Sequence, residues 1–279
     1  MTKHSDLKIS THRSPLFSMA LLVATGLVAC SGGGGAGGMD MPGDPGPTIE
    51  AGFAKGLVLD GGGRPVAGAK VVVGSTVYYN ANIIGTTDAS GRYRLRLTPD
   101  DSWRAYASIS RTFEGQIYTL DLHPEPSNTF TSADGGIQNF EWKLTGEKSG
   151  GKHGTYGAAV LATPVDDTFE TDTKAQYVQL TLEPVGALID GSAGRIITAM
   201  VQPSSNGTGV FDVPIGRYRA TAKYVLPGQP AVDMLVSSES SEEWSSEYTG
   251  VFVPARSGAS NTYEIRLQVK LPADQRAVN

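Results

Sequence analysis

The chain has 279 residues, 23 basic and 28 acidic side chains, a formal net charge of −5, and 35 glycines with 16 prolines. No basic stripe exists to follow a phosphate backbone, which excludes nucleic acid as a partner. One cysteine and four histidines exclude an intramolecular disulfide and any multi-cysteine zinc site.

Residues 1–13 are polar, with Lys3, Lys8 and Arg13 against Asp6, and Leu16 to Ala29 is almost wholly apolar. A basic segment ahead of an apolar run of this length predicts a secretory signal and is short for a bilayer span. The run ends in Leu27-Val28-Ala29-Cys30, which resembles the bacterial lipobox. That resemblance implies lipidation of the Cys30 thiol, cleavage before it and a membrane partner through the lipid. In a Gram-negative cell, Ser31 after the cysteine resembles outer-membrane sorting. Removing residues 1–29 takes away Lys3, Lys8, Arg13 and Asp6, leaving 20 basic and 27 acidic residues, or −7. Residues 30–52 are dense in glycine and proline without apolar periodicity, so they predict a disordered tether with a reach of about 25 Å.

From residue 53 the pattern is β throughout. Phe53–Asp60 and Ala69–Val73 read as strands separated by Gly61-Gly62-Gly63 and Arg64-Pro65-Val66-Ala67-Gly68. Asp88-Ala89-Ser90-Gly91 is then a turn, with Asp88 and Gly91 as its structural residues. After it Tyr93, Leu95 and Leu97 alternate with Arg92, Arg94 and Arg96, the period of a half-buried strand. Residues 102–110, 115–123 and 137–144 follow the same rule, placing Trp103, Ala105, Ala107, Ile109, Phe140 and Trp142 on apolar faces. Two packed antiparallel sheets are the economical solution for residues 53–147.

Gly56-x-Val58-x-Asp60, Gly63-x-Pro65-Val66-Ala67-Gly68-Ala69-x-Val71 and Thr86-Thr87-Asp88-x-x-Gly91-x-Tyr93-x-Leu95 resemble the carboxypeptidase regulatory-like domain, a transthyretin-like β-sandwich. The resemblance rests on turn and core residues, so it implies a fold rather than an activity.

Residues 153–272 repeat the plan less clearly. Strands are predicted at 155–163, 177–182, 195–201, 206–222 and 261–271, and Ser237–Tyr248 as an acidic, serine-rich mobile loop. Asn206-x-x-Gly209-x-Phe211-x-Val213 corresponds to Asp88-x-x-Gly91-x-Tyr93-x-Leu95, with Asn206 and Gly209 as the turn residues. Tyr218-Arg219-Ala220-x-Ala222 corresponds to Trp103-Arg104-Ala105-x-Ala107. The expected fold class is therefore all-β, with two tandem antiparallel β-sandwiches behind a lipoprotein signal and a linker.

Chemistry is sparse. The resemblance raises a metallocarboxypeptidase, but His123-Pro124-Glu125 lacks the His-x-x-Glu spacing and His153 is followed by Gly154-Thr155-Tyr156. Gly191-Ser192-Ala193-Gly194 lacks the residue that a nucleophile elbow places between glycine and serine. Asp166, Asp167, Glu170 and Asp172 are dense enough to suggest Ca²⁺, but their spacing is not an EF-hand's. No catalytic residue, metal or cofactor is assigned. Tyr78, Tyr79 and Trp244 are the candidate exposed aromatics, of the kind that contact carbohydrate. The expectation is a non-catalytic, membrane-anchored module that binds or scaffolds another envelope protein, the alternative being a glycan-binding lipoprotein.

Overall fold

The computed structural model describes residues 49–126, 128–150, 152–165, 173–256 and 260–278. The signal segment, Cys30, most of the tether and the acidic residues 166–172 lie outside these. Ten strands precede residue 150: β1 (Phe53–Asp60), β2 (Lys70–Ser75), β3 (Asn82–Thr86), β4 (Arg92–Arg96), β5 (Ser102–Phe113), β6 (Gln116–Asp121), β7 (His123–Glu125), β8 (Thr129–Thr131), β9 (Gly136–Ile137) and β10 (Asn139–Trp142). Ten follow: β11 (Ala158–Pro164), β12 (Val178–Pro184), β13 (Ile197–Met200), β14 (Gln202–Ser204), β15 (Gly207–Val213), β16 (Arg217–Tyr224), β17 (Val232–Ser238), β18 (Tyr248–Val251), β19 (Val253–Pro254) and β20 (Tyr263–Lys270). The only helical turns among the described residues are of 3₁₀ type, at Ala175–Tyr177 and Ala273–Val278.

The first half is a sandwich. One sheet runs β4-β1-β10-β7 with β9 beside β1, and the other runs β3-β2-β5-β6 with β8 beside β5. Alternation decides what lies between them. Ala54, Val58, Tyr93, Phe140 and Trp142 come from the first sheet and Val71, Val73, Trp103, Ala105, Ala107, Ile109, Tyr118 and Leu120 from the second, all buried in one apolar cluster. Each large side chain so buried contributes about 1.5–3 kcal/mol. Several polar groups in this core are paired, although the buried Trp142 indole N–H has no hydrogen-bond partner among the described residues. The Trp103 indole N–H donates to Ser132 Oγ at 2.8 Å, and the Tyr93 hydroxyl donates to the Gln138 carbonyl at 2.6 Å. Buried Thr87 accepts from the Ala69 N–H and donates to the Val66 carbonyl.

The second half uses the same pairings on a continuous sheet, β13-β12-β16-β17-β20-β11-β15-β14, with β18 on β16 and β19 on β20. First and last strands lie parallel in both halves, β1 on β10 and β11 on β20; β9 on β1 is the other parallel pair, and the remaining ladders are antiparallel. The strand after the turn or hairpin flanks the first strand, β4 on β1 and β15 on β11. β2 lies between β3 and β5 as β12 lies between β13 and β16. Trp103, Ala105 and Ala107 on β5 are buried as Tyr218, Ala220 and Ala222 are on β16. One path differs. In the first half the chain changes sheet at Leu122, so β6 pairs with β5 and β7 with β10. In the second half β17 does both without a break: Val232–Met234 pair with β16 and Leu235–Ser238 with β20. That unbroken strand fuses what would be two sheets into one.

Strands β17 and β18 were not among those expected, and the expected mobile loop 237–248 is pinned. Ser237 is buried, and Val236 and Ser245 exchange backbone hydrogen bonds at 2.7 and 3.0 Å. The seam between the halves is also buried. The Tyr118 hydroxyl donates to the Phe252 carbonyl at 2.6 Å, the Tyr118 and Tyr263 rings meet at a 52° tilt with centroids 4.8 Å apart, and the Tyr263 hydroxyl bonds the backbone of Thr119. Burial pushes the Tyr118 hydroxyl up to about 12, so it stays a donor at any physiological pH.

Candidate interaction surface

The loop from β2 to β3 carries Val77, Tyr78 and Tyr79, which are 65%, 63% and 101% exposed. Adjacent tyrosines on a strand would point to opposite faces, one of them inward. Here the strand has ended, and both face solvent. Ser75 organises the turn: its Oγ accepts from the Val77 and Tyr78 N–H groups at 3.1 and 2.9 Å and donates to Asp101 Oδ1 at 2.9 Å. The Ser75 N–H closes the loop on the Ala81 carbonyl, and Asn80 takes a left-handed conformation at φ 57°. Three consecutive large apolar side chains are thus held outward by a hydrogen-bonded frame.

The solvent face of the same sheet continues the apolar character. Val72 lies between Ile84 and Tyr106 in register, and Ile84 and Tyr106 are both exposed. β3 is the outermost strand on this side. Isolated exposed hydrophobes are ordinary, but a grouped set on one sheet is the pattern of an interaction surface.

Trp244 is elsewhere. It sits in the second half, half-buried, with the Lys270 ammonium 4.1 Å from its ring centroid, so one face is already occupied. The three candidate aromatics therefore do not form one platform.

The turn residues separate as well. Asp88 Oδ1 accepts from Ser90 N–H, Ser90 Oγ and Arg92 N–H, and the Gly91 N–H returns to the Asp88 carbonyl. These bonds hold the Asp88 carboxyl below its usual range. Gly91 sits at φ +74°, where an added Cβ would meet the Val58 carbonyl oxygen at 2.5 Å. Asn206 also lies in a turn, the Ser205-Asn206 tip of the β14–β15 hairpin. Gly209 does not, contrary to expectation. It is paired within β15 opposite Leu161, and the glycine with positive φ is Gly207. The reason is an insertion: a hairpin replaces the first half's four-residue turn and shifts the register. Arg94, on the face of β4 opposite Tyr93, packs its guanidinium 3.4 Å over the Phe53 ring and pairs with Glu50, whose carboxyl that pairing lowers to about 2.

Sequence reasoning missed a polar knot at the seam. Asp121 is buried and accepts from Lys148 at 3.0 Å, Lys152 at 2.6 Å and Asn261 Nδ2 at 3.0 Å. Burial alone would raise its pKa; the lysine hydrogen bonds and charges prevail and lower it. Beside it, His123 Nδ1 lies 3.1 Å from both Tyr156 Oη and Ser149 Oγ. Burial, then the Lys143 charge, depresses His123. One ring nitrogen shared by two hydroxyls stitches the inter-half segment to β7. Among the described residues no three His, Cys, Asp or Glu side chains are grouped to hold a metal ion, and no helix is long and apolar enough to cross a membrane.

No family model matches the sequence, and no curated protein matches it. Solved structures similar to part of the chain include the Bacillus anthracis TIE protein, at 13% identity and TM-score 0.32 over 79% of this chain and 34% of that one. A Streptococcal ancillary pilin is similar at 11% identity and TM-score 0.27, over 78% of this chain and 69% of that one. A C-terminal fragment of the pilus adhesin SpaC from Lactobacillus rhamnosus GG is similar at 11% identity and TM-score 0.25, over 80% of this chain and 98% of that one. The chain spans about a third of the length of the first of these.

Proposed function

We propose that this chain is a non-catalytic lipoprotein of the cell envelope, anchored through Cys30, and that its β3-β2-β5 face with the Val77-Tyr78-Tyr79 loop binds another envelope protein. The observation that carries the proposal is that loop: three exposed apolar side chains held outward by the Ser75 frame. Ordering such a loop in advance removes entropy that a partner would otherwise have to overcome. The neighbours of the tyrosines decide between a protein and a glycan. Val77, Val72 and Ile84 are aliphatic, which suits an apolar protein surface, whereas a sugar platform needs hydrogen-bonding side chains around its rings. The two halves, about residues 53–147 and 153–272, are read as related sandwiches of the carboxypeptidase regulatory-like kind, and their shared strand pairings support that reading.

Affinity capture from solubilised envelopes, with the full-length anchored protein as bait, tests the proposal. One dominant partner is expected with the wild type and its loss with Tyr78→Ser/Tyr79→Ser. Retention of that partner by the double variant overturns the assignment of the surface. Glycan-array binding that the same variant abolishes would replace the protein partner by a carbohydrate.

A further inference from the structure

We infer that the second half also holds a small-ligand site for a neutral, polyhydroxylated molecule about the size of one sugar ring. It lies in the cleft bounded by the β14–β15 hairpin, Lys148 with His153 to Gly157, and the start of β20. The cleft encloses about 220 Å³, below the about 300–1,000 Å³ of usual ligand pockets, so it admits one ring rather than a chain.

Its floor is apolar on the side of the sheet away from the core. Val160 and Ala162 on β11 point into the core, while Leu161 between them lies outside that cluster yet is only 3% exposed. The hairpin covers it: Gly209 comes so near that an added Cβ would stand 3.0 Å from Leu161 Cδ2. Phe211 lines the cleft half-buried and is not among the side chains packed on the core. The first half has a four-residue turn where this hairpin stands, so the cleft is a product of the insertion.

The rim selects the chemistry. Every charge on the wall is already answered. Lys148 pairs with Asp121, the Asp212 carboxylate accepts from the Gly146 and Gly157 N–H groups, and Glu264 holds Arg266 and the Arg256 N–H. An ionic ligand would find no unmatched counter-charge. Uncommitted groups remain in the Asn206 amide, the Ser205 hydroxyl and the His153 ring, whose side chains make no hydrogen bond within the described residues. An aromatic face beside an aliphatic floor, with an amide, a hydroxyl and an imidazole at the edge, suits the C–H face and hydroxyls of a pyranose.

Chemical-shift titration of the protein with D-glucose, D-galactose, D-mannose and N-acetylglucosamine, up to about 100 mM, tests the site. Saturable shifts centred on Phe211, Asn206 and Leu161 are expected with at least one sugar. Phe211→Ala should weaken that binding about tenfold. Asn206→Asp, at an exposed hairpin tip, should weaken it without altering the melting temperature. Tyr78→Ser/Tyr79→Ser should leave it unchanged, which separates this site from the protein-binding face. No saturable shifts with any of the four sugars, shifts centred elsewhere, or tighter binding of glucuronate than of glucose would overturn the inference.

Discussion

Replacing Asp121 by alanine probes the seam most severely. The carboxylate is buried, and the more buried of its two cations, Lys148, lies 3.0 Å away and is buried to the same degree. Lys152 and Asn261 also converge on it. Removing Asp121 strands the Lys148 ammonium in a poorly solvated site, and breaking a buried pair from one side costs about 3–5 kcal/mol. Lys152 is 40% exposed and can turn to water, so it adds little. In a unit of this size each kcal/mol lowers the melting temperature by about 2–4 °C, so the expected drop is about 6–20 °C. Lys148→Met alone should cost less, because Asp121 keeps Lys152 and Asn261. Asp121→Ala/Lys148→Met should be more stable than the sum of the single losses predicts, since no buried charge is left unpaired. Urea denaturation of all four proteins measures the cycle. A loss below about 1 kcal/mol for Asp121→Ala, or strict additivity, would show that the knot is solvated and contributes nothing to joining the halves.

Gly91→Val should destabilise by about 1–3 kcal/mol from backbone strain alone, before the clash with the Val58 carbonyl is added; an unchanged denaturation midpoint would count against a left-handed turn there. His123 gives a pH signature. Its pKa is depressed in the folded state, so below the ordinary value near 6.5 the unfolded chain binds more protons, and stability falls as pH drops through 6.5 toward the folded value. Melting curves between pH 7 and 5 should show that loss, and His123→Asn, which keeps a polar partner for Tyr156, should flatten it. Cys30→Ser should release the protein from the membrane pellet and abolish labelled-palmitate uptake; a protein that stays in the pellet without taking up label in either form rejects the lipid anchor.

Much of the architecture is legible because it is written with period two. Tyr93, Trp103, Ala105, Ala107, Ile109, Phe140 and Trp142 were expected to face inward, and all are buried. Local pattern fails where tertiary pairing decides. The start of β17, Val232-Asp233-Met234, is short and mixed, and becomes a strand because β16 and β20 offer partners on successive stretches. The register around Gly209 was obscured by the inserted hairpin, since matching Gly-x-aromatic strings says nothing about how many residues lie between the strands. The Asp121 knot joins residues up to 140 positions apart, and no local signal connects an alternating aspartate on β6 with lysines in the inter-half segment. Tyr78 and Tyr79 were read as candidates on adjacency alone; their joint exposure depends on where β2 stops and on the Ser75 turn.

The most direct test of the docking face is site-specific photo-crosslinking in living cells. A photo-reactive amino acid placed at position 79 in the protein expressed from its whole sequence should yield one discrete protein adduct. The same group at position 233, an exposed site in the second half, should not. An adduct from position 233 but not from 79, or none from either, would contradict the assignment of the Val77–Tyr79 loop as the surface through which this protein meets its partner.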